Sequence, residues 1–377
     1  MTYSLKITNN ITSRAVLYVG YKCNAHCQFC YYHFKKNKNW VNLEKLKAQA
    51  QQFRYFYKNN LVDITGGEPT IYPHIFELVK YCNLIDLKPT IITNALALAD
   101  KQICLKFKQS GIHDFLISIF GIDEIADEIT GVPNTYQKQL RALDNLIELN
   151  IPFRINITAH QLNQSQLIDI AKLAIKNKAK VVNILNFNPF LDWQNKTNIQ
   201  FQAKYSSLAP DIIKAVNLLA KNNILVNLRY FPFCQFKNYE KNICGFMQVS
   251  YDPYEWNFNS WGNYFLFNPS QKWYAKEAVR KRIYDAGYVK SAKCNQCSLN
   301  YICDGFPAQY VKRFGWDEAK PYNLNKKIKN PTYFMLPRPN FSPTLSKQKI
   351  WPYLMNIIKN RLKYIRLKLT QPKIYEQ

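Results

Sequence analysis

The sequence predicts an α/β fold in which parallel strands form part of a barrel. Short apolar runs bounded by polar or turn residues recur along the first half of the chain, as expected of buried parallel strands. A longer segment with helical periodicity separates most of these runs from the next, and such alternation indicates a partial parallel (β/α)6 barrel. The predicted strands are residues 15–19, 61–64, 90–92, 115–119, 153–158 and 181–185, and the predicted helices are 43–57, 74–82, 100–110, 136–149 and 164–178. One more helix (207–222) and one more strand (224–230) are predicted after this region.

Charge and cysteine content narrow the class of protein. The 377 residues include 51 Lys or Arg and 25 Asp or Glu, a formal charge of +26, which favours phosphates, nucleic acid or acidic lipid as partners. The abundance of Lys and Asn is explained equally well by an AT-rich genome, which encodes Lys in place of Arg. No apolar run reaches bilayer length and no secretory signal is visible, so we expect a cytoplasmic protein. In a reducing compartment, spaced cysteines are more often metal ligands or catalytic groups than disulfides.

The first cysteine cluster follows the first predicted strand. Cys23, Cys27 and Cys30 have the spacing CxxxCxxC. Thiolates suit iron–sulfur clusters or zinc, and three ligands leave one metal position open. The alternative is a zinc site completed by His26 or His33, in a zinc-stabilised binding protein without enzymatic activity.

Polar residues stand where predicted strands end, which is where parallel barrels carry their chemistry. Gly66 and Gly67 would let a ligand approach the backbone closely, and Glu68 would accept a hydrogen bond from an ammonium group. Ordinary turn capping is the alternative for each of these positions. The further candidates are Thr93 and Asn94 at the end of strand three, Ser118 on strand four, and Arg154 and Asn156 on strand five.

The ordered set CxxxCxxC, GGEP and Thr-Asn resembles the radical S-adenosylmethionine (radical SAM) enzymes over roughly residues 15–186. The resemblance implies a barrel of that type and a [4Fe-4S] cluster bound by the three cysteines. The amino and carboxylate groups of the methionine moiety would chelate the fourth iron of this cluster. It implies that Gly66, Gly67 and Glu68 contact the amino group and that Phe29 packs near the adenine. It places the remaining strand-end candidates near the ribose and the carboxylate. Ala95 stands where relatives often have glycine.

The chemistry implied by the resemblance is radical chemistry. A donor such as flavodoxin or ferredoxin supplies an electron to the cluster. The reduced cluster then donates one electron to S-adenosylmethionine and splits its carbon–sulfur bond. The resulting 5′-deoxyadenosyl radical removes a hydrogen atom from a substrate. The protein orients the cofactor and excludes water.

A second cysteine set consists of Cys294, Cys297 and Cys303. This set resembles the auxiliary-cluster region of the SPASM and twitch subfamilies. Pro307 occupies the position of a further SPASM cysteine, so we predict one auxiliary [4Fe-4S] cluster, with a structural zinc knuckle as the alternative. The fourth ligand would be Cys244 or Cys234, and the cysteine left over could return a hydrogen atom to a substrate radical or be a buried free thiol. The other three ligands would be Cys294, Cys297 and Cys303.

These patterns divide the chain into a barrel (1–200), a twitch/SPASM-like region (201–330), a Pro-rich linker (331–350) and a basic amphipathic helical tail (351–377). The tail could lie on an anionic membrane surface or cover the barrel. We expect oxidation or epimerisation of a small metabolite, such as a phosphorylated, nucleotide-linked or lipid-linked sugar. A peptide or RNA is the alternative, although nucleic acid is disfavoured and Cys23 leaves no room ahead of the barrel for a peptide-binding module. Residues 186–193 and 230–261 would select the substrate.

Overall fold

An eight-stranded parallel sheet is the main feature of the computed structural model. The structure describes residues 14–30, 32, 38–56, 59–187, 200–245, 287–329, 333–334 and 362. The strands lie side by side in chain order and the sheet curls into a half-barrel, which confirms the predicted fold class. Two strands follow the six that the barrel prediction contained. The strands are β1 (Arg14–Tyr18), β2 (Leu61–Thr65), β3 (Lys88–Thr93), β4 (Asp114–Ser118), β5 (Phe153–Ala159), β6 (Val181–Asn186), β7 (Leu225–Arg229) and β8 (Ile243–Cys244).

Helices connect most of these strands. They are α1 (Leu43–Gln51), α2 (Ile75–Leu84), α3 (Lys101–Ser110), α4 (Asp123–Thr130), α5 (Thr135–Glu148), α6 (Leu167–Lys176) and α7 (Tyr205–Lys221). The sequence predicted all of them except α4. That helix is eight residues long, and the residue before it, Ile122, gives no side-chain cap, so the usual start signal is missing.

The two faces of the sheet differ in polarity. Alternate residues such as Leu17, Ile64 and Ile155 join the helices in the main hydrophobic core. On the opposite face, in-register pairs place four polar residues side by side across β4 to β7. We call this set the polar row: Ser118, Asn156, Asn183 and Asn227. The face turned away from the helices is therefore a polar surface.

A buried charge network closes the N-terminal end of the same face. Arg14 donates to Asp63 at 2.6 Å and to the Thr90 hydroxyl at 2.8 Å, and Thr90 in turn bonds Asp114. Arg154 Nε donates to Asp114 at 2.8 Å, and all five side chains are buried. We call these five residues the basal charge network.

The position of Arg154 corrects the sequence analysis, which put it at the C-terminal end of its strand. The strand β5 begins at Phe153, so Arg154 is its second residue, and it pairs with Leu116 in the middle of β4. The next polar residue on the same face, Asn156, is about 7 Å further along the strand. The guanidinium points towards Asp114, the first residue of β4, and therefore away from the strand ends that carry the other candidates.

The second cysteine region packs on the barrel. It contains the antiparallel pair β9 (Tyr288–Val289) and β10 (Phe306–Pro307), followed by α8 (Ala308–Phe314). The backbone N–H of Tyr205 donates to the Tyr310 hydroxyl at 2.9 Å, and the two rings stack 4.2 Å apart. The main hydrophobic core includes Leu299, Ile302 and Tyr310 from this region. The barrel and this region thus share one core.

Several predictions fall outside the described residues. The linker (331–350) and the tail (351–377) do so apart from Tyr333, Phe334 and Leu362, and most of the substrate-selecting segments do so as well. No helix in the described part of the chain combines the length and hydropathy needed to cross a bilayer.

Candidate functional site

The loop that carries the first three cysteines is held by the C-terminal end of α4. The backbone N–H of His26 donates to the carbonyl of Thr130 at 2.8 Å, and that of Gln28 donates to the carbonyl of Ile129 at 3.1 Å. Gly131 ends the helix with φ +64°, and a Cβ there would lie 3.3 Å from His26 Cβ. The helix that the sequence analysis missed is therefore part of the site. Its one sequence signal is Gly131, a left-handed stop after an amphipathic segment.

The thiols of this loop suit soft metal coordination. None of the ten cysteines forms a disulfide, and the Ala25 N–H donates to Cys23 Sγ at 3.4 Å. Burial, together with the nearby Glu68 carboxylate, raises the pKa of Cys23 to about 12, so a thiolate there needs a cation beside it. Burial and the neighbouring Cys30 raise the pKa of Cys27 as well. This donor set fits an iron–sulfur cluster.

The sulfurs are not gathered as tightly as around a single ion. Among the residues that the structure describes, no three His, Cys, Asp or Glu side chains form a group that could hold a metal ion. The cysteines of both clusters are therefore candidate metal ligands.

The turn after β2 lies directly against the start of the cysteine loop. Gly67 N–H donates to the Gly20 carbonyl and Glu68 N–H to the Lys22 carbonyl, both at 2.8 Å. A Cβ on Gly66, whose φ is +143°, would lie 2.2 Å from the Gly20 oxygen, and one on Gly67 would lie 2.0 Å from the Lys22 oxygen. The sequence analysis ascribed the two glycines to close approach of a ligand. In the structure they let one backbone segment contact another, which fixes the entry to Cys23.

The carboxylate of Glu68 ties the end of β2 to the end of β3. It is 1% exposed. Its Oε1 accepts hydrogen bonds from the Thr70 N–H (3.0 Å), the Thr70 hydroxyl (2.6 Å) and the Thr93 hydroxyl (2.7 Å), and its Oε2 accepts one from the Asn94 N–H (2.8 Å). Burial raises its pKa although these hydrogen bonds oppose the rise. The predicted contact between Glu68 and an ammonium group stays a prediction, and it would use Oε2 because Oε1 already accepts three bonds.

The end of β3 joins the same group. The Asn94 side chain donates to Asn24 at 2.8 Å and its Nδ2 lies 3.9 Å from Cys23 Sγ. Ala95 has φ +65°, which explains in physical terms why glycine suits this position. The structure thus brings Asn94 next to the cysteine loop, as the sequence analysis expected for neighbouring strand ends.

Gln139 is a site residue that the sequence analysis missed. Its Nε2 donates to the carbonyl of Asn94 at 3.1 Å and to that of Ser118 at 3.0 Å, so it joins the ends of β3 and β4 from α5. It is buried on the face of α5 that also carries Leu143 and Leu146. The sequence signal for this role was a glutamine among the apolar residues on one face of a predicted helix.

The polar row crosses the barrel below these strand ends. Ser118 and Asn156 are half-buried, whereas Asn183 and Asn227 are buried and joined by a 2.9 Å hydrogen bond. Only the first two were predicted, because the register between distant strands does not appear in the sequence. One step further towards the C-terminal ends, Arg229 stands in register with Cys244, and its guanidinium lies 5.2 Å from the Tyr230 ring centre.

The second cysteine set gathers around one pocket. Besides the three predicted cysteines, the fourth that lines this pocket is Cys234, whereas Cys244 lies in β8 on the barrel face. Backbone N–H groups of Tyr322 and Gly305 donate to the sulfurs of Cys297 and Cys303 at 3.3 and 3.4 Å. The sequence analysis left Cys244 and Cys234 as alternatives for the fourth ligand, and the structure brings Cys234 together with Cys294, Cys297 and Cys303.

Residues 17–174 match the family model of the radical SAM superfamily. The PqqA peptide cyclase of Bradyrhizobium diazoefficiens is 25% identical over 185 residues, which are 48% of this chain and 47% of that protein. An AdoMet-dependent heme synthase of Oleidesulfovibrio alaskensis is 27% identical over 154 residues, 40% of this chain and 39% of that protein. These matches thus span less than half of each relative. A heme synthase of Methanosarcina barkeri is 29% identical over 297 residues, 69% of this chain and 80% of that protein.

Solved structures share the fold. SuiB of Streptococcus suis bound to S-adenosylmethionine has a TM-score of 0.56 and 18% identity, covering 86% of this chain and 76% of that one. Native anSMEcpe with bound AdoMet has a TM-score of 0.55 and 17% identity, covering 78% and 89%. At these identities the similarity shows the fold alone.

Proposed function

Residues 17–174 of this chain belong to the radical SAM superfamily, whose members bind a [4Fe-4S] cluster and S-adenosylmethionine, and on that premise we propose that the chain abstracts a hydrogen atom from a polar substrate. The observation that carries the proposal is the meeting of the cysteine loop, the Glu68 turn and Asn94 at the C-terminal ends of β1 to β3. When bound, the cluster and S-adenosylmethionine supply the 5′-deoxyadenosyl radical used by such enzymes.

The residues around the first cluster divide the work. Cys23, Cys27 and Cys30 hold the iron, and α4 and the Gly66–Gly67 turn keep the loop in place. Asn94, whose N–H is held by the Glu68 carboxylate, presents its carboxamide beside Cys23, where the methionine moiety would bind, and Thr93 holds the same carboxylate from β3. The ribose and carboxylate would meet Ser118 and Asn156.

We assign a second [4Fe-4S] cluster to Cys234, Cys294, Cys297 and Cys303. Their position around one pocket supports the assignment, as do the N–H groups that point at two of the sulfurs, because such hydrogen bonds tune cluster potentials. Cys244 is then the cysteine left over. Because Cys244 is in register with Arg229 on the barrel face, it is the better of the two candidates for a thiol that returns a hydrogen atom.

The ligand assignment is tested by counting iron. Replacing Cys234 with Ala should lower the iron content of anaerobically prepared protein by up to four atoms per chain, whereas Cys244→Ala should leave it unchanged. Cys104→Ala, a buried cysteine of α3, is the matched control. Loss of iron in the Cys244 variant with full iron in the Cys234 variant would reverse the assignment.

A small hydroxyl-rich or phosphorylated metabolite fits the barrel face. The polar row offers carboxamides and a hydroxyl, which suit the hydroxyl groups of a sugar, and Arg229 offers a cation for a phosphate or carboxylate. The described residues of this face thus support oxidation or epimerisation of such a substrate.

Modification of a peptide is the second candidate. It is favoured by the match to a protein named as a peptide cyclase. Carboxamides such as Asn156 can also pair with peptide groups, so the barrel face is compatible with either substrate.

The activity is tested under anaerobic reduction. The protein should be brown, bind S-adenosylmethionine and release 5′-deoxyadenosine, and replacement of Cys23, Cys27 and Cys30 by Ala should abolish this release. Deuterium transfer into 5′-deoxyadenosine from labelled sugars or labelled peptides then separates the two substrate classes. Colourless protein that carries zinc at these cysteines and ignores S-adenosylmethionine would refute the proposal.

A further inference from the structure

A small aromatic cluster stands apart from the main core, beside the cysteine loop. It consists of Phe29, Ile129, Phe187 and Phe201, and we call it the mouth cluster. Phe29 comes from the cysteine loop itself, directly before Cys30, and Ile129 comes from the end of α4. The cluster therefore lies at the C-terminal end of the barrel, where the proposed cofactor binds.

One polar side chain is enclosed by these rings. His160 follows β5 directly and is 0% exposed. Its ring centre lies 4.8 Å from that of Phe29, 6.2 Å from that of Phe201 and 6.4 Å from that of Phe187. A histidine surrounded by aromatic rings is costly to bury unless both ring nitrogens have partners.

Among the described residues, only one of the two ring nitrogens of His160 has a hydrogen-bond partner. The Leu162 N–H donates to Nδ1 at 3.2 Å, and the His160 N–H donates to Asn163 Oδ1 at 2.9 Å, which together fix the ring. Burial lowers the pKa of His160 to about 3, so the ring is neutral at physiological pH. Because Nδ1 accepts, Nε2 carries the hydrogen. That donor is buried and has no hydrogen-bond partner in the structure as described.

We propose that the Nε2–H of His160 recognises the edge of the adenine ring of S-adenosylmethionine by donating to one of its ring nitrogens. The inference rests on the proposed function and adds a residue that the sequence motifs do not include. Adenine is flat and apolar on its faces, which suits Phe29, and its edge carries unprotonated nitrogens that accept hydrogen bonds. Since Nε2 is covered by the side chains around it, one of the aromatic rings turns aside when the adenine enters.

The contact between Nε2 and the nucleotide means that His160 strengthens nucleotide binding, whereas its unpaired donor lowers the stability of the protein without nucleotide. An unpaired donor in an apolar cluster weakens the folded state, so its removal should offset the loss of the Leu162 hydrogen bond to Nδ1 and leave stability nearly unchanged while weakening nucleotide binding. A histidine that served packing alone would show the opposite pattern, because its loss would lower stability and leave nucleotide affinity unchanged.

The test uses cluster-loaded enzyme without reductant, so that binding is measured without turnover. His160→Phe should weaken S-adenosylmethionine binding about tenfold in equilibrium dialysis, which corresponds to a single lost hydrogen bond. The same variant should melt within about 2 °C of the wild type, because losing the unpaired donor offsets losing the Leu162 hydrogen bond. His160→Gln keeps an N–H donor and should retain affinity within about threefold. His74→Phe, the same change at an exposed site, should alter neither quantity.

Analogues of the nucleotide identify the partner atom. S-adenosylhomocysteine in which carbon replaces N1, N3 or N7 should show one analogue that the wild type binds about tenfold more weakly, and His160→Phe should not discriminate against that analogue. Equal binding of all three by the wild type, or unchanged affinity of His160→Phe with a lowered melting temperature, would overturn the inference. If the wild type binds no S-adenosylmethionine, the proposed function itself fails.

Discussion

Replacing Arg154 with Met separates a cofactor role for this residue from a structural one. In the structure its guanidinium donates to Asp114 at 2.8 Å, and both side chains are buried in the basal charge network. The variant leaves the Asp114 carboxylate in place without its main cation. Burial alone would raise the pKa of Asp114, but Arg154, His113 and Arg14 outweigh it and hold that pKa well below its usual range.

The expected loss follows from the pair being enclosed. Removing one partner of a buried ion pair typically costs about 3–5 kcal/mol. Because Thr90 and His113 still contact Asp114, we expect the lower end, about 3 kcal/mol. At about 2 °C per kcal/mol for a chain of this size, the melting temperature should fall by about 6 °C. Asp114→Asn should cost a similar amount, since it removes the carboxylate to which the buried guanidinium donates.

The double variant Arg154→Met with Asp114→Asn completes the cycle. With both charges gone, the free energy of unfolding should return to within about 1 kcal/mol of the wild type, so the coupling between the two positions should exceed about 3 kcal/mol. Urea unfolding monitored by circular dichroism measures these values, and equilibrium dialysis measures S-adenosylmethionine affinity. Affinity per folded molecule should not change in any of the three variants.

The pH dependence has a definite sign. A carboxyl whose pKa is depressed in the folded state stabilises the protein above its unfolded pKa of about 3.9, and this stabilisation is lost as the pH falls towards the folded value. Without Arg154, the pKa of Asp114 loses its largest lowering influence, so the stability gap between wild type and variant should be complete at pH 7 and narrow as the pH falls below about 4. A variant that melts like the wild type but binds S-adenosylmethionine weakly would refute this reasoning and restore Arg154 to the cofactor site.

Three further substitutions probe the strand ends. Gly67→Ala places a Cβ 2.0 Å from the Lys22 oxygen and should lower the iron content of reconstituted protein, whereas Gly315→Ala, with φ +73° and nothing within 4 Å, should leave iron unchanged. Gln139→Leu leaves two carbonyls unpaired and should lower the free energy of unfolding by about 1–3 kcal/mol in urea titrations. Ala95→Gly removes a left-handed strain of about 1–2 kcal/mol but loosens the unfolded chain, so its melting temperature should stay close to the wild-type value, and a drop beyond about 3 °C would contradict the strain argument.

The regular elements of the barrel were readable from the sequence because apolar periodicity sets them. Each predicted strand from 15–19 to 181–185 overlaps an observed strand of the sheet, and the cysteine loop, the Glu68 turn and Asn94 meet as expected of parallel strand ends. Local patterns were sufficient here because the strands are buried on both faces and short.

The remaining features depend on information that a single sequence does not contain. The short helix α4 lacks a side-chain cap. Arg154 was placed at the cofactor end by the family resemblance, although the predicted strand 153–158 already made it the second residue of its strand, as it is in β5. The polar row depends on cross-strand register. The choice between Cys234 and Cys244 depends on how an irregular segment folds back, which no periodicity reveals.

Because the barrel and the cysteine region share one core, we expect that neither folds well as a separate fragment. A fragment ending at residue 200 would lack β7 and β8, so it would expose the unpaired backbone edge of β6, a template for aggregation. It would also lose Tyr310 and Ile302 from the interior. The barrel and the cysteine region should therefore melt as one cooperative unit, and a destabilising substitution in either cysteine cluster should lower the melting temperature of both.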